Sequence, residues 1–312
     1  MDEIAIKEYD IGERGACLEL LRKTFTGTSD EATFSWRFEM MSAKRPLMIC
    51  AKHDNRVVSF NSWIPWEFVY NNTKYLGFQS GESATDINYR GMGIFSKVLR
   101  YGFKIASERG IDFLYGFPTE MSYGAFYRAG YYPIGTNYFY VRQINPFKKR
   151  LKGSVNFSAN HFLDSKLIEV SKITPIFDYD YCKWRYIQNP KDFEIVEYTE
   201  NNGKAIFFFR KKKWKWLTEL ILLDYQINNY NEMFIKNSIG FIDKVFSRKA
   251  FYMRTFFNEY SDKGRALRSF FPMRIKSRFY ILCVRPVSKR IDNNILLNRN
   301  CWDIMPHCVD EL

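Results

Sequence analysis

The stretch at residues 87–99, INYRGMGIFSKVL, contains two glycines two positions apart, followed by residues with the spacing of an amphipathic helix. Glycine costs backbone entropy, so a pair of glycines at the start of a helix indicates that something must approach the backbone closely there. Free amides and the positive end of the helix dipole attract anions to a helix N-terminus. The stretch therefore predicts an anion-binding loop, such as one that holds the phosphates of a cofactor.

Outward from this loop, the first half of the chain alternates between predicted strands and helices. Apolar spacing predicts a helix in residues 11–25, and three strands with turns at 54–55 and 71–73 precede the glycine loop. After the loop come a helix closed by Gly110, a buried strand, a short helix ending at Gly130 and a final strand. This order predicts an α+β fold in which helices flank a mixed sheet.

The second half of the chain partly repeats the first. Residues 34–60 resemble residues 182–208, and each stretch contains a Trp-Arg pair. Residues 129–141 and 268–280 also resemble each other and share a proline. Two tandem copies of one fold explain both similarities. The second copy lacks the glycines of the loop, so we expect a single anion site, in the first copy.

One basic stretch lies between the two copies and another lies within the second copy. We predict a first domain at residues 1–145 that carries the glycine loop, a basic linker at 146–160, and a degenerate second copy at 161–312. A further basic and aromatic stretch, FRKKKWKW at 209–216, aligns with a β-hairpin of the first copy. We therefore interpret it as a solvated turn rather than a nucleic-acid-binding surface.

Composition narrows the classes of function. The chain has 312 residues and a formal net charge of +13, which leaves anionic small molecules, nucleic acid and anionic membranes open as partners. Six cysteines without a C-x-x-C pair and three histidines argue against a metal site. The sequence has no apolar leader and no apolar run of membrane-spanning length, so we expect a cytoplasmic protein with no membrane partner.

Two stretches resemble the GCN5-related N-acetyltransferase (GNAT) superfamily. SATDINYRGMGIFSKVL (83–99) is similar to its acetyl-CoA-binding segment, whose signature is (Gln/Arg)-x-x-Gly-x-(Gly/Ala). FPTEMSYGAFYRAGYYPIG (117–135) resembles its later motif, a short helix that ends in Gly before an aromatic residue. The resemblance implies two tandem GNAT-like domains, each a mixed, mostly antiparallel β-sheet flanked by helices. It also implies an acyltransferase that uses acetyl-CoA as co-substrate, without a metal.

The resemblance further implies which residues bind acetyl-CoA. Backbone amides of the glycine loop would bind the CoA pyrophosphate, and residues 83–85 would pair with the pantetheine arm like an added β-strand. The implied cofactor-binding residues are Ser83, Ala84, Thr85, Arg90, Gly91, Met92, Gly93, Ile94, Phe95, Thr119 and Phe126. The chain departs from the family pattern at Asn88, where the signature has Gln or Arg, and at Thr119, where related sequences often have Asn.

Amine acetylation needs a proton acceptor for the amine, a polarised thioester and a proton for the departing thiolate. Glu82 is the candidate base, and a structural ion pair is an equally good reading of this residue; a water chain could also take the proton. Where the family usually has a tyrosine acid, this chain has Phe126. We therefore expect the acid to be Tyr127 or Tyr123, which could instead be ordinary packing residues.

These observations predict an acetyl-CoA-dependent N-acetyltransferase that acts on a primary amine of a small molecule, with an amino sugar as one candidate. Transfer would be direct, in a ternary complex. One alternative is a tRNA-dependent aminoacyl transferase of tandem GNAT architecture, which the net charge and RKKKWKW would favour. Another is a non-catalytic acyl-CoA-binding module. The intact glycine loop argues against the tRNA alternative, so nucleic acid is not the expected partner; the oligomeric state stays open.

Overall fold

The computed structural model describes residues 3–25, 30–41, 44–145, 171–214 and 217–309. The predicted linker at 146–160 lies outside the described residues, as do the first ten residues of the predicted second domain.

The first copy begins with a short edge strand and ends with a long strand. Its elements are β1 (Ala5–Glu8), α1 (Arg14–Thr24), α2 (Glu31–Phe38), β2 (Leu47–His53), β3 (Arg56–Tyr70), β4 (Thr73–Thr85), α3 (Ile94–Glu108), β5 (Phe113–Gly116), α4 (Glu120–Arg128) and β6 (Tyr132–Gln143). Both predicted hairpin turns are confirmed. Asp54 and Asn55 have φ angles of 47° and 61°, and Asn71 and Asn72 have 46° and 60°. Two successive positive φ angles are typical of the type I′ turn, which Asn and Asp tolerate well.

The second copy repeats this order from its second strand onwards and ends with an additional short helix. Its elements are β7 (Thr174–Pro175), α5 (Tyr179–Cys182), β8 (Phe193–Glu200), β9 (Gly203–Trp214), β10 (Leu217–Ile227), α6 (Glu232–Phe246), β11 (Tyr252–Thr255), α7 (Asp262–Arg268), β12 (Met273–Pro286) and α8 (Asn293–Leu296). The run from β8 to β12 matches the run from β2 to β6 element by element, which confirms the tandem copies. The hairpin predicted for the basic stretch is confirmed, because Trp214 of β9 pairs with Leu217 of β10. The solvated turn is not, since residues 209–214 belong to strand β9 and Phe209 is buried; residues 215–216 lie outside the described residues.

The two copies exchange their last strands and share one sheet, with the order β1-β2-β3-β4-β5-β12-β6-β11-β10-β9-β8. β12 of the second copy pairs with β5 of the first, in register Cys283↔Gly116. β6 of the first copy pairs with β11 of the second, in register Arg142↔Met253. The sequence predicts one sheet in each copy, because residue periodicity predicts strands but not the strands they pair with. The exchange brings β12 to the edge of the first copy's cleft.

The matching Trp-Arg pairs meet at the junction of the two copies. Trp36 and Trp184 stack, with ring centroids 4.9 Å apart and planes 12° apart. The Trp36 indole N–H donates to the carbonyl of Trp184 at 2.7 Å, and the Trp184 indole N–H donates to the carbonyl of Trp36 at 2.9 Å. Arg185 donates to the carbonyls of His307 and Val309, each at 3.3 Å. The pairs are thus structural, and they tie the copies and the C-terminal segment together.

We expect Trp184→Phe to lower the free energy of unfolding by about 1–3 kcal/mol, because the buried carbonyl of Trp36 loses its donor. Trp36→Phe should have a similar effect for the reciprocal reason. Urea denaturation followed by circular dichroism measures both variants and the double variant. Contact between the two rings predicts a coupling above about 0.5 kcal/mol, so strictly additive losses would contradict a joint role.

A buried polar cluster holds the C-terminal segment against β10. His307 Nδ1 lies 3.0 Å from Asp224 Oδ2, and Lys263 Nζ lies 3.1 Å from Asp224 Oδ1. Burial lowers the pKa of His307 and outweighs the nearby Asp224 carboxylate, which raises it. Burial alone would raise the pKa of Asp224, but Lys263 and His307 bring it below its ordinary value. The cluster therefore prefers a neutral histidine and an ionised aspartate.

This cluster predicts a loss of stability in mild acid. Because the folded pKa of His307 is below its ordinary value of 6.5, the unfolded chain binds a proton there before the folded chain does. The stabilisation is complete above pH 6.5 and is lost as pH falls towards the folded pKa. Urea denaturation across this range should show a falling free energy of unfolding, with a shallower slope in His307→Asn. Equal slopes in the two proteins would contradict the assignment.

Candidate active site

A cleft opens where β4 and β5 separate. The parallel pairing of these strands covers Gly77–Ser80 and Phe113–Gly116, after which β5 ends while β4 continues to Thr85 beside β3. The gap forms a cavity of about 390 Å³. Its walls come from the end of β4, the glycine loop, the first turn of α3, the residues after β5 and one face of α4. The cleft is completed by Thr24 and Phe25 at the end of α1, by Tyr280 of β12 and by Val309 of the C-terminal segment.

A β-bulge lies in the β4 wall of this cleft. Phe60 pairs with Ala84 and Ser62 pairs with Gly81, so a single residue of β3 opposes two residues of β4. Glu82, one of these two, has a φ angle of 48°. A bulge takes backbone groups out of the ladder and re-aims side chains. Backbone amides of this segment are therefore candidates to polarise a bound carbonyl.

The glycine loop adopts the conformation that its sequence predicts. Gly91 and Gly93 have φ angles of 79° and 72°, in the left-handed region that favours glycine. Gly93 is the N-cap of α3, and no side chain caps this helix. The amides of the first turn of α3 are thus left for a ligand, and the helix dipole favours an anion there.

The corresponding helix of the second copy is closed to an anion. The side chain of Asn231, the N-cap of α6, accepts hydrogen bonds from the amides of Met233 at 2.9 Å and Phe234 at 3.4 Å. One helix N-terminus is therefore open and its counterpart is capped, which supports one anion site per chain.

Ser96 adds a side chain to the anion site. It lies in the first turn of α3, lines the cleft and is 3% exposed. Its Oγ has no hydrogen-bond partner among the described residues. A buried hydroxyl at this point can donate to a phosphate oxygen, and the side chains of Arg90 and Arg128 also line the cleft. Ser96 is not among the residues predicted from the sequence, although its position three residues after Gly93 is a signal that could have identified it.

Most of the residues predicted to bind acetyl-CoA line the cleft. Those that do are Ser83, Thr85, Arg90, Gly91, Gly93, Ile94, Phe95, Thr119 and Phe126. Ala84 faces the opposite side, where it packs with α1, because successive strand residues alternate between faces. The Met92 side chain is 47% exposed. Both of these were predicted to act through their backbone, and that prediction stays open.

The structure separates the predicted catalytic residues. Glu82 lines the cleft, where Arg37 forms a buried ion pair with its carboxylate. The ion pair is the structural role that the sequence left open for Glu82, and its role as the base stays a prediction. Tyr127 is 68% exposed and Tyr123 packs beside the core under α3 and α4, and neither lines the cleft. Successive helix residues point about 100° apart, and α4 turns Ser122, Ala125 and Phe126 to the cleft instead. The structure thus gives no support to either tyrosine as the acid.

Two other tyrosines line the described part of the cleft. The hydroxyl of Tyr89 lies 2.9 Å from His53 Nδ1, close to the glycine loop. Tyr280 lies on the other side, with its ring against Phe117 at a centroid distance of 6.0 Å. Phe117 directly follows β5, at the point where the strands separate. Tyr280 could not be predicted from the sequence, because strand exchange brings it to the cleft from the second copy.

The family whose description is "Acetyltransferase (GNAT) domain" matches residues 5–134, which contain the glycine loop, the bulge and α4. Residues 5–134 therefore form a GNAT acetyltransferase domain. The protein is therefore an acyltransferase, and the acyl donor of such enzymes is an acyl-CoA. No curated protein sequence matches the chain.

Solved structures share the fold of the GNAT domain and its second copy. A probable N-acyltransferase from Enterococcus faecalis is 14% identical, with a TM-score of 0.68 over 92% of this chain and 73% of that chain. A GCN5-related N-acetyltransferase from Anabaena variabilis is 11% identical, with a TM-score of 0.64 over 92% and 73%. Saccharomyces cerevisiae N-myristoyltransferase with bound myristoyl-CoA is 10% identical, with a TM-score of 0.59 over 91% and 83%. At sequence identities this low, the similarity to these structures shows a shared fold and nothing more.

Two classes of feature are not found in the described ranges. No group of three or more His, Cys, Asp or Glu residues there could hold a metal ion. None of the helices there combines the length and the apolar character needed to cross a membrane.

Proposed function

We propose that the protein is an acetyl-CoA-dependent N-acetyltransferase that transfers the acetyl group directly to a primary amine of a small molecule. The observation that carries the proposal is the uncapped N-terminus of α3, with two left-handed glycines before it, at the mouth of the cleft between β4 and β5. An amino sugar is one acceptor that this proposal admits.

In this proposal the CoA pyrophosphate binds the amides of the first turn of α3 and the hydroxyl of Ser96. Arg90 and Arg128 supply positive charge in the same cleft. The pantetheine arm pairs with residues 83–85 of β4, on the edge that β5 leaves uncovered. The thioester then lies near the bulge at Glu82, where backbone amides stabilise the negative oxygen of the tetrahedral intermediate.

The packing beneath the cleft favours a short acyl group. The paired residues Ser80 and Gly116 close the gap between the strands. A Cβ atom added to Gly116 would come within 2.8 Å of the Phe126 ring, so the protein is tightly packed at this point of the floor. Phe126 itself packs on Tyr131 at a centroid distance of 4.7 Å. Acetyl fits this depth better than a long acyl chain does.

The amine loses its proton and the thiolate gains one during direct transfer. Glu82 is the cleft carboxylate that can accept the amine proton directly or through water. For the thiolate we assign the acid role to Tyr280, because Phe126 has no proton to give and Tyr280 borders the point where the strands separate.

Isothermal titration calorimetry with acetyl-CoA tests the donor half of the proposal. We expect one acetyl-CoA per chain, because α6 is capped by Asn231 and α3 is not. The absence of binding at high micromolar acetyl-CoA, in folded protein, would contradict the proposal. Two equivalent sites would contradict the degenerate second copy.

Release of free CoA in the presence of a panel of primary amines tests the acceptor half. Binding without turnover on any amine would favour an acyl-CoA-binding module. Salt-dependent binding of charged tRNA without binding of acetyl-CoA would favour the aminoacyl transferase alternative.

A further inference from the structure

We infer that the acceptor subsite lies on the side of the cleft opposite α3, between Gln79, Phe117 and Tyr280, and that it takes an arylalkyl monoamine. This inference rests on the proposed N-acetyltransferase function and narrows its acceptor to one chemical class.

Gln79 is a buried polar side chain whose carbonyl oxygen has no hydrogen-bond partner in the described part of the fold. It is 2% exposed and lines the cleft. Its Oε1 has no hydrogen-bond partner among the described residues. Buried polar atoms in native proteins are nearly always hydrogen-bonded, and an unpaired acceptor at a cleft wall indicates a donor that arrives with a ligand. The N–H of a primary amine is such a donor.

The register of the sheet puts Gln79 on the acceptor side. Gln79 pairs with Ile64 and Tyr115, which belong to the core on the face away from α3 and α4. The next residue, Ser80, faces the opposite way, towards Phe126 of α4. An acyl-CoA bound at α3 therefore reaches the strand gap from one face, while an amine at Gln79 reaches the same gap from the other. This is the geometry that direct transfer requires.

Aromatic rings form the wall beside Gln79. The rings of Phe117 and Tyr280 both line the cleft and meet edge to face at 75°. Val309 adds an aliphatic side chain. Aromatic side chains pack well against another ring in edge-to-face or offset arrangements. The wall therefore suits an acceptor with an aromatic body.

The charges of the lining disfavour a polyamine, and its aromatic wall disfavours a sugar. Its charged residues among those described are Glu82, Arg90 and Arg128. Arg37 already balances the carboxylate of Glu82, and the proposed function uses the two arginines for phosphate. A polyamine would bring several positive charges without matching carboxylates. A sugar would bring several hydroxyls to the wall formed by Phe117, Tyr280 and Val309, which offers few hydrogen-bond partners.

Acetylation of 2-phenylethylamine, glucosamine and spermidine by the full-length protein with acetyl-CoA tests the acceptor class. We expect kcat/KM for 2-phenylethylamine to exceed that for each of the other two by at least about 10-fold. A preference for glucosamine or spermidine would overturn the inference. Bound acetyl-CoA with no acetylation of 2-phenylethylamine would also overturn it, whereas a failure to bind acetyl-CoA would overturn the proposed function itself.

Gln79→Met tests the residue, since methionine has a similar shape and accepts hydrogen bonds only weakly. We expect KM for 2-phenylethylamine to rise by at least about 10-fold, with the Kd of acetyl-CoA unchanged. Gln226→Met is the matched control. Gln226 is also a buried glutamine with an unpartnered Oε1, on β10, the counterpart of β4, and it does not line this cleft. An unchanged KM in Gln79→Met would refute the role of Gln79.

Phe117→Leu provides an independent test should Gln79→Met fail to fold. Loss of the ring should raise KM for 2-phenylethylamine by about 10-fold and leave KM for butylamine within about 3-fold of the native value. Equal changes for the two amines would show that the wall does not recognise an aromatic body, and would overturn the inference.

Discussion

Gly93→Val is expected to raise the Kd of acetyl-CoA by at least about 100-fold, since the loss of even two charge-assisted hydrogen bonds has this effect. Gly93 caps α3 with a φ angle of 72°, which a β-branched residue adopts only under strain. A Cβ atom there would meet no protein atom within 4 Å, so it would project into open space beside the amides. That space is where the diphosphate must lie. Calorimetry with acetyl-CoA measures the change.

Gly110→Val is the matched control for this variant. Gly110 follows the other end of α3 with a φ angle of 68°, and a Cβ atom there also meets nothing within 4 Å. The two substitutions should therefore cost similar stability, which thermal denaturation measures. Only Gly93→Val should change the Kd. An unchanged Kd, or equal changes in both variants, would mean that the glycine loop does not bind the cofactor.

Tyr280→Phe is expected to lower kcat by roughly 10²–10⁴-fold, the range for loss of a positioned proton donor. The Kd of acetyl-CoA should not change, because the ring remains and the anion site lies on the other side of the cleft. A steady-state assay with saturating acetyl-CoA and 2-phenylethylamine measures kcat. If Tyr280→Phe keeps native turnover when chemistry limits the rate, Tyr280 is not the acid, and water is the better candidate for the proton donor to the thiolate.

Tyr127→Phe and Tyr123→Phe serve as controls for Tyr280. Tyr127 is 68% exposed and Tyr123 does not line the cleft, so neither variant should lower kcat by more than about 3-fold. A large loss of kcat in either variant would assign the acid to α4, the helix in which the family resemblance places it. The helix α4 would then have to rotate when substrates bind.

The position of Tyr280 shows that the second copy takes part in forming the cleft. From the sequence, this copy is expected to lack an anion site, because it lacks the glycine loop. In the structure it contributes β12 to the sheet beside β5, and through β12 it contributes Tyr280 to the cleft. The first copy alone would lack both this wall of the cleft and the strand that covers β5.

Features that depend on a few neighbouring residues could be predicted from the sequence. The left-handed glycines at 91 and 93, the I′ turns at 54–55 and 71–72 and the closure of α3 by Gly110 all follow from backbone preferences of single residues. The tandem copies could also be predicted, because the same local pattern occurs twice. The family resemblance then named most of the residues that line the cofactor side of the cleft.

Only the tertiary structure decided which strands pair and which side chains meet. The exchange of β6 and β12, the ion pair of Glu82 with Arg37, the outward direction of Tyr127 and the arrival of Tyr280 all depend on contacts between distant parts of the chain. Residue periodicity specifies which face of a strand is apolar, but it does not specify which other strand pairs with it. Tyr280 and Phe117 lie far apart in sequence, and the packing energy of the whole sheet, rather than any local preference, brings them together.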